Sequence, residues 1–325
     1  MKRIVSFFGD KSEVFEMLNI KAEDYAKEAG FEYKWVPQTP FNQQQVIEEL
    51  QNADMGIIDV EPYNEEIFSQ VHQKCKLLVR FGVGYDKVDL QAAAKYGMAI
   101  ARTTGANTLG VAEMAFSLIM SARRKLKFFD ECTETGNWEK VVVNETIGAT
   151  IGILGFGSIG RALATLFKGW DCNIIAYDPF PNEKLMEELG VKLVGLEELF
   201  EIADAISLHL PYTPETHNLI GEKLLSKMKK SAVIVNTSRG NIIDEEALYH
   251  ALKNKTIGAA GLDVFAQEPL PTTSSLIGLD NIVLTPHVSS QTEESLWRIY
   301  KMAIDIAIDF ENGKDSPHIL NPDYK

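Results

Sequence analysis

The sequence predicts an α/β protein of two doubly wound parallel-sheet domains, one inserted into the other. Three observations support this prediction. The chain has 325 residues, more than the roughly 250–300 that a single hydrophobic core supports. Apolar runs of strand length alternate with helical patterns in two separate blocks, which is typical of parallel sheets with helices on both faces. A long helical pattern follows each block.

The order of the predicted elements defines the two domains. In the first block, strands are predicted at residues 3–8, 32–36, 55–60 and 77–81, and helices at 12–29 and 46–52. The long helices are predicted at 107–127 and 293–312. In the second block, strands are predicted at 150–154, 173–178, 205–210, 232–236, 258–262 and 281–284. We therefore expect one domain to comprise residues 1–104 and 291–325, the other to comprise residues 105–290, and a cleft to lie between them.

A glycine-rich turn follows the first predicted strand of the second block. Gly155, Gly157 and Gly160 form a G-x-G-x-x-G array, completed by Ser158 and Ile159. The first glycine permits a tight turn, the second lets the backbone approach a pyrophosphate, and the third lets the next helix pack closely on the strand. The N-terminus of that helix offers unpaired N–H groups to the anion. The array therefore predicts a bound dinucleotide.

An acidic residue at the end of the next strand indicates which dinucleotide binds. Asp178 lies about 20 residues beyond the glycines, where a carboxylate can accept hydrogen bonds from both ribose hydroxyls of NAD. The same carboxylate repels the additional phosphate of NADP. Residues 179–182 contain no arginine that could hold that phosphate. The predicted cofactor is NAD.

Composition excludes several classes of function. The net charge of −14 argues against nucleic-acid binding, so an anionic substrate must be held by local cations and backbone dipoles. The three cysteines are odd in number and lack metal-ligand spacing, which predicts a reducing compartment and no metal site. No apolar stretch reaches the ~20 residues of a membrane span. We expect a cytoplasmic protein without a membrane partner.

Three side chains that could perform chemistry follow late strands of the second block. Arg239, Glu268 and His287 come after the strands predicted at 232–236, 258–262 and 281–284. Ligands of open parallel sheets bind beyond the carboxyl ends of the strands, so these side chains are expected to converge near the nicotinamide. Each alone also has a structural interpretation: the arginine could cap a helix, the glutamate could hold a turn, and the histidine could be a loop residue.

Taken together, these motifs resemble the D-isomer-specific 2-hydroxyacid dehydrogenase family, which includes D-lactate and phosphoglycerate dehydrogenases. The matching stretches occur in the family's order at residues 80–86, 107–113 and 155–160, at Asp178, and around Arg239, Glu268 and His287. The resemblance implies a Rossmann NAD-binding domain inserted into a flavodoxin-like substrate-binding (catalytic) domain. It also implies reversible hydride transfer between NAD(H) and C2 of a 2-hydroxy or 2-oxo acid, and a homodimer.

The reaction explains why these residue types are needed. Neutral His287 can take the C2 hydroxyl proton during oxidation, and the charged imidazolium can return it during reduction. Glu268 would bind the other imidazole nitrogen, fix the tautomer and stabilise the imidazolium. Arg239 would bind the substrate carboxylate and polarise the C2 oxygen.

The resemblance also assigns binding residues. The substrate carboxylate is expected on backbone N–H groups of the Gly82-Val83-Gly84 turn, and the predicted substrate-binding set is Arg80, Phe81, Gly82, Val83, Gly84 and Asn107. Asp263 is expected to accept a hydrogen bond from the cofactor carboxamide. Leu210, Thr237 and Ser238 are also predicted to bind the cofactor. His209 either lines the cofactor site or is a buried structural histidine.

Two alternative functions remain open on the sequence. A short D-3-phosphoglycerate dehydrogenase would use Arg80 for the phosphate, although the loop at residues 60–63 lacks the arginine of many such enzymes. An NAD(H)-binding regulatory protein resembling the corepressors related to this family would carry the same motifs. Formate dehydrogenase is disfavoured, because that relative has glutamine where this chain has Glu268.

Overall fold

The structure, a computed structural model, describes residues 1–38 and 40–325, and its strands form two sheets in which neighbouring strands are parallel. The strands are β1 (Lys2–Ser6), β2 (Phe31–Trp35), β3 (Met55–Ile58), β4 (Leu77–Arg80), β5 (Ala99–Arg102), β6 (Thr150–Leu154), β7 (Asn173–Tyr177), β8 (Lys192–Leu193), β9 (Ala205–Leu208), β10 (Val233–Asn236), β11 (Ala259–Leu262) and β12 (Ile282–Leu284).

Helices connect these strands. They are α1 (Glu13–Glu28), α2 (Gln43–Leu50), α3 (Glu65–Val71), α4 (Leu90–Lys95), α5 (Thr108–Arg124), α6 (Leu126–Glu134), α7 (Ser158–Phe167), α8 (Glu183–Leu189), α9 (Leu196–Ile202), α10 (Glu222–Leu225), α11 (Glu245–Lys253) and α12 (Glu293–Glu311). The chain divides into two units, one of residues Met1–Asn107 and Gln291–Lys325 and the other of Thr108–Ser290. The sequence predicts boundaries at 104/105 and 290/291. No helix in the described residues is long and apolar enough to cross a bilayer.

The sheet of the first unit has the strand order β2-β1-β3-β4-β5, which is the flavodoxin-like order. Apolar side chains cover both of its faces. One cluster includes Leu18 and Ala22 of α1 and Ile299 of α12, and the other includes Ile47 of α2 and Phe68 of α3. Helices on both faces make this unit doubly wound, as predicted.

The C-terminal tail is hydrogen-bonded to the edge strand of the first sheet. The Leu320 N–H donates to the Ile100 carbonyl at 2.8 Å. The Asn321 side chain accepts from the Ile100 N–H at 2.8 Å and donates to the Met98 carbonyl at 2.9 Å. The tail therefore satisfies backbone groups of β5 that an open edge would expose.

The sheet of the second unit has the order β8-β7-β6-β9-β10-β11-β12. Counted from β6 along the chain, this is the Rossmann order 3-2-1-4-5-6 with a seventh strand added. Leu118 of α5 and Leu163 of α7 pack on one face, and Phe200 of α9 and Leu248 of α11 pack on the other. The strand order reverses between β6 and β9, and ligands of such sheets bind beyond the carboxyl ends of those strands.

The structure corrects some predicted elements. The helix predicted at 107–127 is interrupted, because Lys125 has a left-handed backbone (φ 50) between α5 and α6. The sequence analysis missed β5, whose residues Ala99–Arg102 are short and alanine-rich, so local β-propensity is weak. Pairing with β4 and burial define this strand.

Candidate active site

The glycine turn after β6 is shaped for a ligand at the start of α7. Gly155 has a positive φ of 98, and a Cβ there would lie 2.8 Å from the backbone of His209. A Cβ at Gly160 would overlap the Gly155 carbonyl oxygen, so helix and turn pack as closely as the array predicts. A Cβ at Gly157 would meet nothing within 4 Å. The open space therefore lies where a pyrophosphate approaches the helix N-terminus.

Asp178 is held beside this turn. Its Oδ2 accepts a hydrogen bond from the Phe156 N–H at 2.7 Å, and its Oδ1 accepts from the Phe180 N–H at 2.8 Å. Each carboxylate oxygen can accept a second hydrogen bond. The carboxylate is therefore oriented and still able to accept from ribose hydroxyls, so the residues present fit NAD.

His209 follows β9, on the other side of the point where the strand order reverses. Its Nε2 lies 3.0 Å from the Ser207 hydroxyl, whereas its Nδ1 is buried without a partner among the described residues. The Thr237 hydroxyl is also buried and unpartnered in the described part of the chain. Burial lowers the pKa of His209 to about 3, so the ring is neutral near pH 7. Unpartnered buried polar atoms are uncommon in proteins, and these two favour a ligand beside the turn.

Stability should respond to pH through His209. Its pKa is lowered in the folded protein, so the unfolded chain takes up the proton first, and stability falls as the pH drops from about 6.5 towards 3. We expect His209 to contribute at most about 1.4 kcal/mol of lost stability per pH unit in this window. Urea unfolding of the wild type and His209→Gln at pH 7 and pH 5.5 measures it. Parallel losses in the two proteins would contradict this prediction.

His287 and Glu268 form a hydrogen-bonded pair beyond β12 and β11. The His287 Nδ1 lies 2.8 Å from the Glu268 Oε2, and the Glu268 Oε1 accepts from the Phe265 N–H at 2.9 Å. Burial alone would raise the pKa of Glu268, but these hydrogen bonds and the charge of Arg239 lower it below its usual value. Glu268 therefore remains a carboxylate, and the proton of this bond belongs on Nδ1. The side chains of His287 and Glu268 are 43% and 36% exposed.

Arg239 follows β10 in a loop that packs against the segment carrying Glu268. A Cβ at Gly240 would overlap the Phe265 carbonyl, so the two loops are in backbone contact. The Asn236 side chain donates to the Arg239 carbonyl at 2.9 Å, and the Arg239 Nη1 donates to the Ser238 carbonyl at 2.7 Å. The structure thus brings Arg239, Glu268 and His287 together. The sequence analysis did not recognise Gly240, although its place directly after Arg239 was a signal.

Asp263, which is predicted to contact the cofactor carboxamide, is buried in the second unit. It is 0% exposed, and its carboxylate accepts four hydrogen bonds. The Thr285 hydroxyl donates at 2.5 Å, the backbone N–H groups of Val288 and Ser289 each donate at 2.9 Å, and the Ser289 hydroxyl also donates. All four hydrogen bonds are made inside the unit, and the predicted contact with the cofactor carboxamide stays a prediction.

The residues bound to Asp263 flank His287, which itself has a left-handed backbone (φ 55). Its N–H donates to the Asp263 carbonyl at 2.8 Å. A non-glycine residue in this conformation is held there by its surroundings, and here Asp263 supplies the bonds. Sequence reasoning missed Thr285 and Ser289; the only signal was a pair of hydroxyl residues around the histidine. It also missed Glu245, whose Oε1 accepts from the Ala266 N–H at 2.6 Å.

In the first unit, two predicted substrate-binding side chains are buried. The Arg80 side chain is 9% exposed, and its Nη1 lies 3.7 Å from the Asp59 carboxylate and donates to the Phe81 carbonyl. The Phe81 ring stacks on Phe8 at 3.5 Å between centroids and packs against Tyr300. Arg80 is therefore paired internally and Phe81 is a core residue, and their predicted part in substrate binding stays a prediction.

The turn after β4 retains donors for a ligand. The Gly82 N–H donates to the Thr103 hydroxyl at 2.8 Å. This group was predicted to bind the substrate carboxylate, but here it already has an acceptor. For the Val83 and Gly84 N–H groups, the described residues provide no acceptor. The Asn107 Oδ1 is buried and unpartnered within the described chain. Thr103, which was missed, thus fixes the turn while two of the three predicted N–H groups stay open.

Comparisons with known proteins agree with this fold. A family model described as D-isomer specific 2-hydroxyacid dehydrogenase, NAD binding domain, matches residues 116–289. Glyoxylate reductase of Korarchaeum cryptofilum is 37% identical over 96% of both chains. D-3-phosphoglycerate dehydrogenase of Archaeoglobus fulgidus is 33% identical over 95% of this chain, which spans 58% of that protein.

A solved structure extends the match to the whole fold. The NAD complexed form of the D-isomer specific 2-hydroxyacid dehydrogenase from Lactobacillus delbrueckii ssp. bulgaricus superimposes with a TM-score of 0.84 and 25% identity, covering 99% of this chain and 100% of that one. The doubly wound NAD-binding unit and these relatives define an NAD-dependent oxidoreductase that acts on the CH–OH group of donors. The chain belongs to the D-isomer specific 2-hydroxyacid dehydrogenases.

Proposed function

We propose that this protein interconverts a 2-oxo acid and the corresponding D-2-hydroxy acid, with His287 as the acid/base. The 2.8 Å contact between the His287 Nδ1 and the Glu268 Oε2 carries the proposal. Because Glu268 is a carboxylate, it holds the proton on Nδ1 and leaves Nε2 to exchange a proton with the substrate.

The residues divide the chemistry among them. Bound NAD supplies the acceptor or donor of the hydride at C2. During oxidation, the His287 Nε2 takes the hydroxyl proton as the C2–H bond breaks, and Glu268 stabilises the imidazolium that forms. During reduction, the imidazolium returns the proton to the C2 oxygen. Arg239 binds the substrate carboxylate and stabilises charge on that oxygen.

The substrate class is a small 2-oxo acid without a second anionic group. Arg80, the cation predicted for a phosphate, is paired with Asp59 instead. The glyoxylate reductase relative matches this chain over 96% of both lengths, which supports glyoxylate as a substrate. The second candidate is D-3-phosphoglycerate dehydrogenase, favoured by the 33% identity to the Archaeoglobus fulgidus relative.

A substrate panel tests the proposal. NADH oxidation is measured with glyoxylate, hydroxypyruvate, pyruvate, 2-oxoisocaproate and 3-phosphohydroxypyruvate. We expect turnover of the small acids, with kcat/KM for hydroxypyruvate at least about tenfold above that for its phosphate ester, the effect of about 1.4 kcal/mol of binding energy. Preference for the phosphate ester would support the second candidate. Tight NADH binding with no turnover of any acid would contradict the proposal.

We also propose roles and an assembly for the two units. The first unit, residues 1–107 and 291–325, would bind the substrate, and the second, residues 108–290, would bind NAD. A homodimer follows from the resemblance to the family, and sedimentation equilibrium of the purified protein measures it. Cys75, Cys132 and Cys172 are free thiols, and the cytoplasmic location stays a prediction of the sequence.

A further inference from the structure

Arg102 stands at the carboxyl end of the edge strand β5, directly opposite Arg80 of β4 in the sheet register. Sequence reasoning did not single it out. Its guanidinium lies 5.2 Å from the centre of the Tyr85 ring, and its Nη1 donates to the Val83 carbonyl at 3.4 Å. The side chain is only half-buried. Arg102 therefore reaches the Gly82-Val83-Gly84 turn and remains open to solvent.

The two neighbouring arginines differ in their charge partners. Arg80 is buried and paired with Asp59. Among the residues that the structure describes, no carboxylate forms an ion pair with Arg102. A guanidinium offers five N–H donors, and Arg102 uses one of them on Val83. Its charge and its remaining donors are available to an anion at this edge of the sheet.

The end of β5 also positions the turn itself. The Thr103 hydroxyl accepts from the Gly82 N–H, and the Thr103 N–H donates to the Gly82 carbonyl at 3.1 Å. The bond from Arg102 to the Val83 carbonyl polarises the Val83–Gly84 peptide, which strengthens the Gly84 N–H as a donor. Arg102 and the two open N–H groups thus lie at the same end of this sheet.

We propose that Arg102 binds the carboxylate of the 2-oxo acid beside the Gly82-Val83-Gly84 turn. This inference rests on the proposed function and adds a substrate-binding residue to it. A carboxylate matches the guanidinium in charge and in its planar geometry. Arg102 takes no part in the proton transfer, so its removal should weaken substrate binding and leave the chemical step largely intact.

The test compares Arg102→Met, Arg102→Gln and Arg102→Lys with the wild type. Steady-state NADH oxidation with glyoxylate and hydroxypyruvate gives KM and kcat, and inhibition by oxamate reports carboxylate binding. Lys87→Met is the matched control, because Lys87 is an exposed cation three residues after Gly84. Thermal unfolding shows whether each variant is folded. If Arg102→Met does not fold, Arg102→Lys and Arg102→Gln still test the proposal.

We expect Arg102→Met to raise the KM for both acids and the Ki for oxamate by about tenfold, the effect of one charge-assisted hydrogen bond. The kcat and the affinity for NADH should change less than about threefold, Arg102→Lys should recover part of the loss, and Lys87→Met should behave as the wild type. KM and Ki values within about twofold of the wild type in the folded Arg102 variants would overturn this inference and leave the proposed function standing. The same would follow if Lys87→Met raised KM and Ki as much as Arg102→Met does. A wild type that turns over no 2-oxo acid would overturn the proposed function and this inference with it.

Discussion

Replacing His287 with glutamine is expected to lower kcat for 2-oxo acid reduction by about 10²–10⁴-fold, the contribution of a positioned acid/base. The glutamine amide can still donate a hydrogen bond to the Glu268 carboxylate, but it cannot carry a proton to the C2 oxygen. NADH binding should be unchanged, because the proposed cofactor contacts lie at the ends of β6, β7, β9 and β10. Steady-state kinetics and NADH fluorescence titration measure the two effects separately.

His250 provides the control for this experiment. It is an exposed histidine in the same unit, 3.9 Å from the Glu246 carboxylate, so His250→Gln removes a similar pair away from the site. It should keep wild-type kcat. Retention of more than about a tenth of the activity by His287→Gln would exclude His287 as the acid/base, since even the smallest expected contribution is about 100-fold.

Replacing Asp263 with asparagine is expected to lower kcat by about 100-fold while the affinity for NADH stays within about threefold, because displacement of a catalytic group by about 1 Å has an effect of that size. In the wild type, Thr285, Val288 and Ser289 donate hydrogen bonds to the Asp263 carboxylate. Asparagine would replace one of the two acceptor oxygens with an NH₂ group, which cannot accept them. Each buried donor left unsatisfied costs about 1–3 kcal/mol, so the left-handed loop around His287 should rearrange. Kinetics, NADH titration and thermal unfolding measure the three consequences.

The same variant separates the two roles considered for Asp263. A contact with the cofactor carboxamide predicts weaker NADH binding with little loss of stability. Support of the His287 loop predicts lower kcat, lower stability and a changed pH profile, because the pairing of His287 with Glu268 loosens. Asp280→Asn, at an exposed acid of the same unit, should change none of these quantities. A large rise in the NADH dissociation constant with kcat retained would contradict the role that we assign.

The features that sequence alone predicted are those encoded within short segments. The glycine array at Gly155, Gly157 and Gly160 specifies its turn, because each glycine stands where a side chain would clash with nearby residues or block the approach of a ligand. Strand and helix alternation predicted two doubly wound sheets, and the rule that ligands bind at carboxyl ends of strands placed Arg239, Glu268 and His287 at one edge. These inferences needed only the order of residues along the chain.

The tertiary structure decided which side chains are open and which are already engaged. Phe81 and Arg80 follow the pattern of a binding turn, yet one stacks on Phe8 and the other pairs with Asp59, because the neighbouring strands of the sheet come from distant parts of the chain. Asp263 is engaged in the same way by the loop that carries His287. Hydrogen bonding and burial depend on partners far apart in sequence, so local patterns predicted the positions of the functional residues but not their contacts.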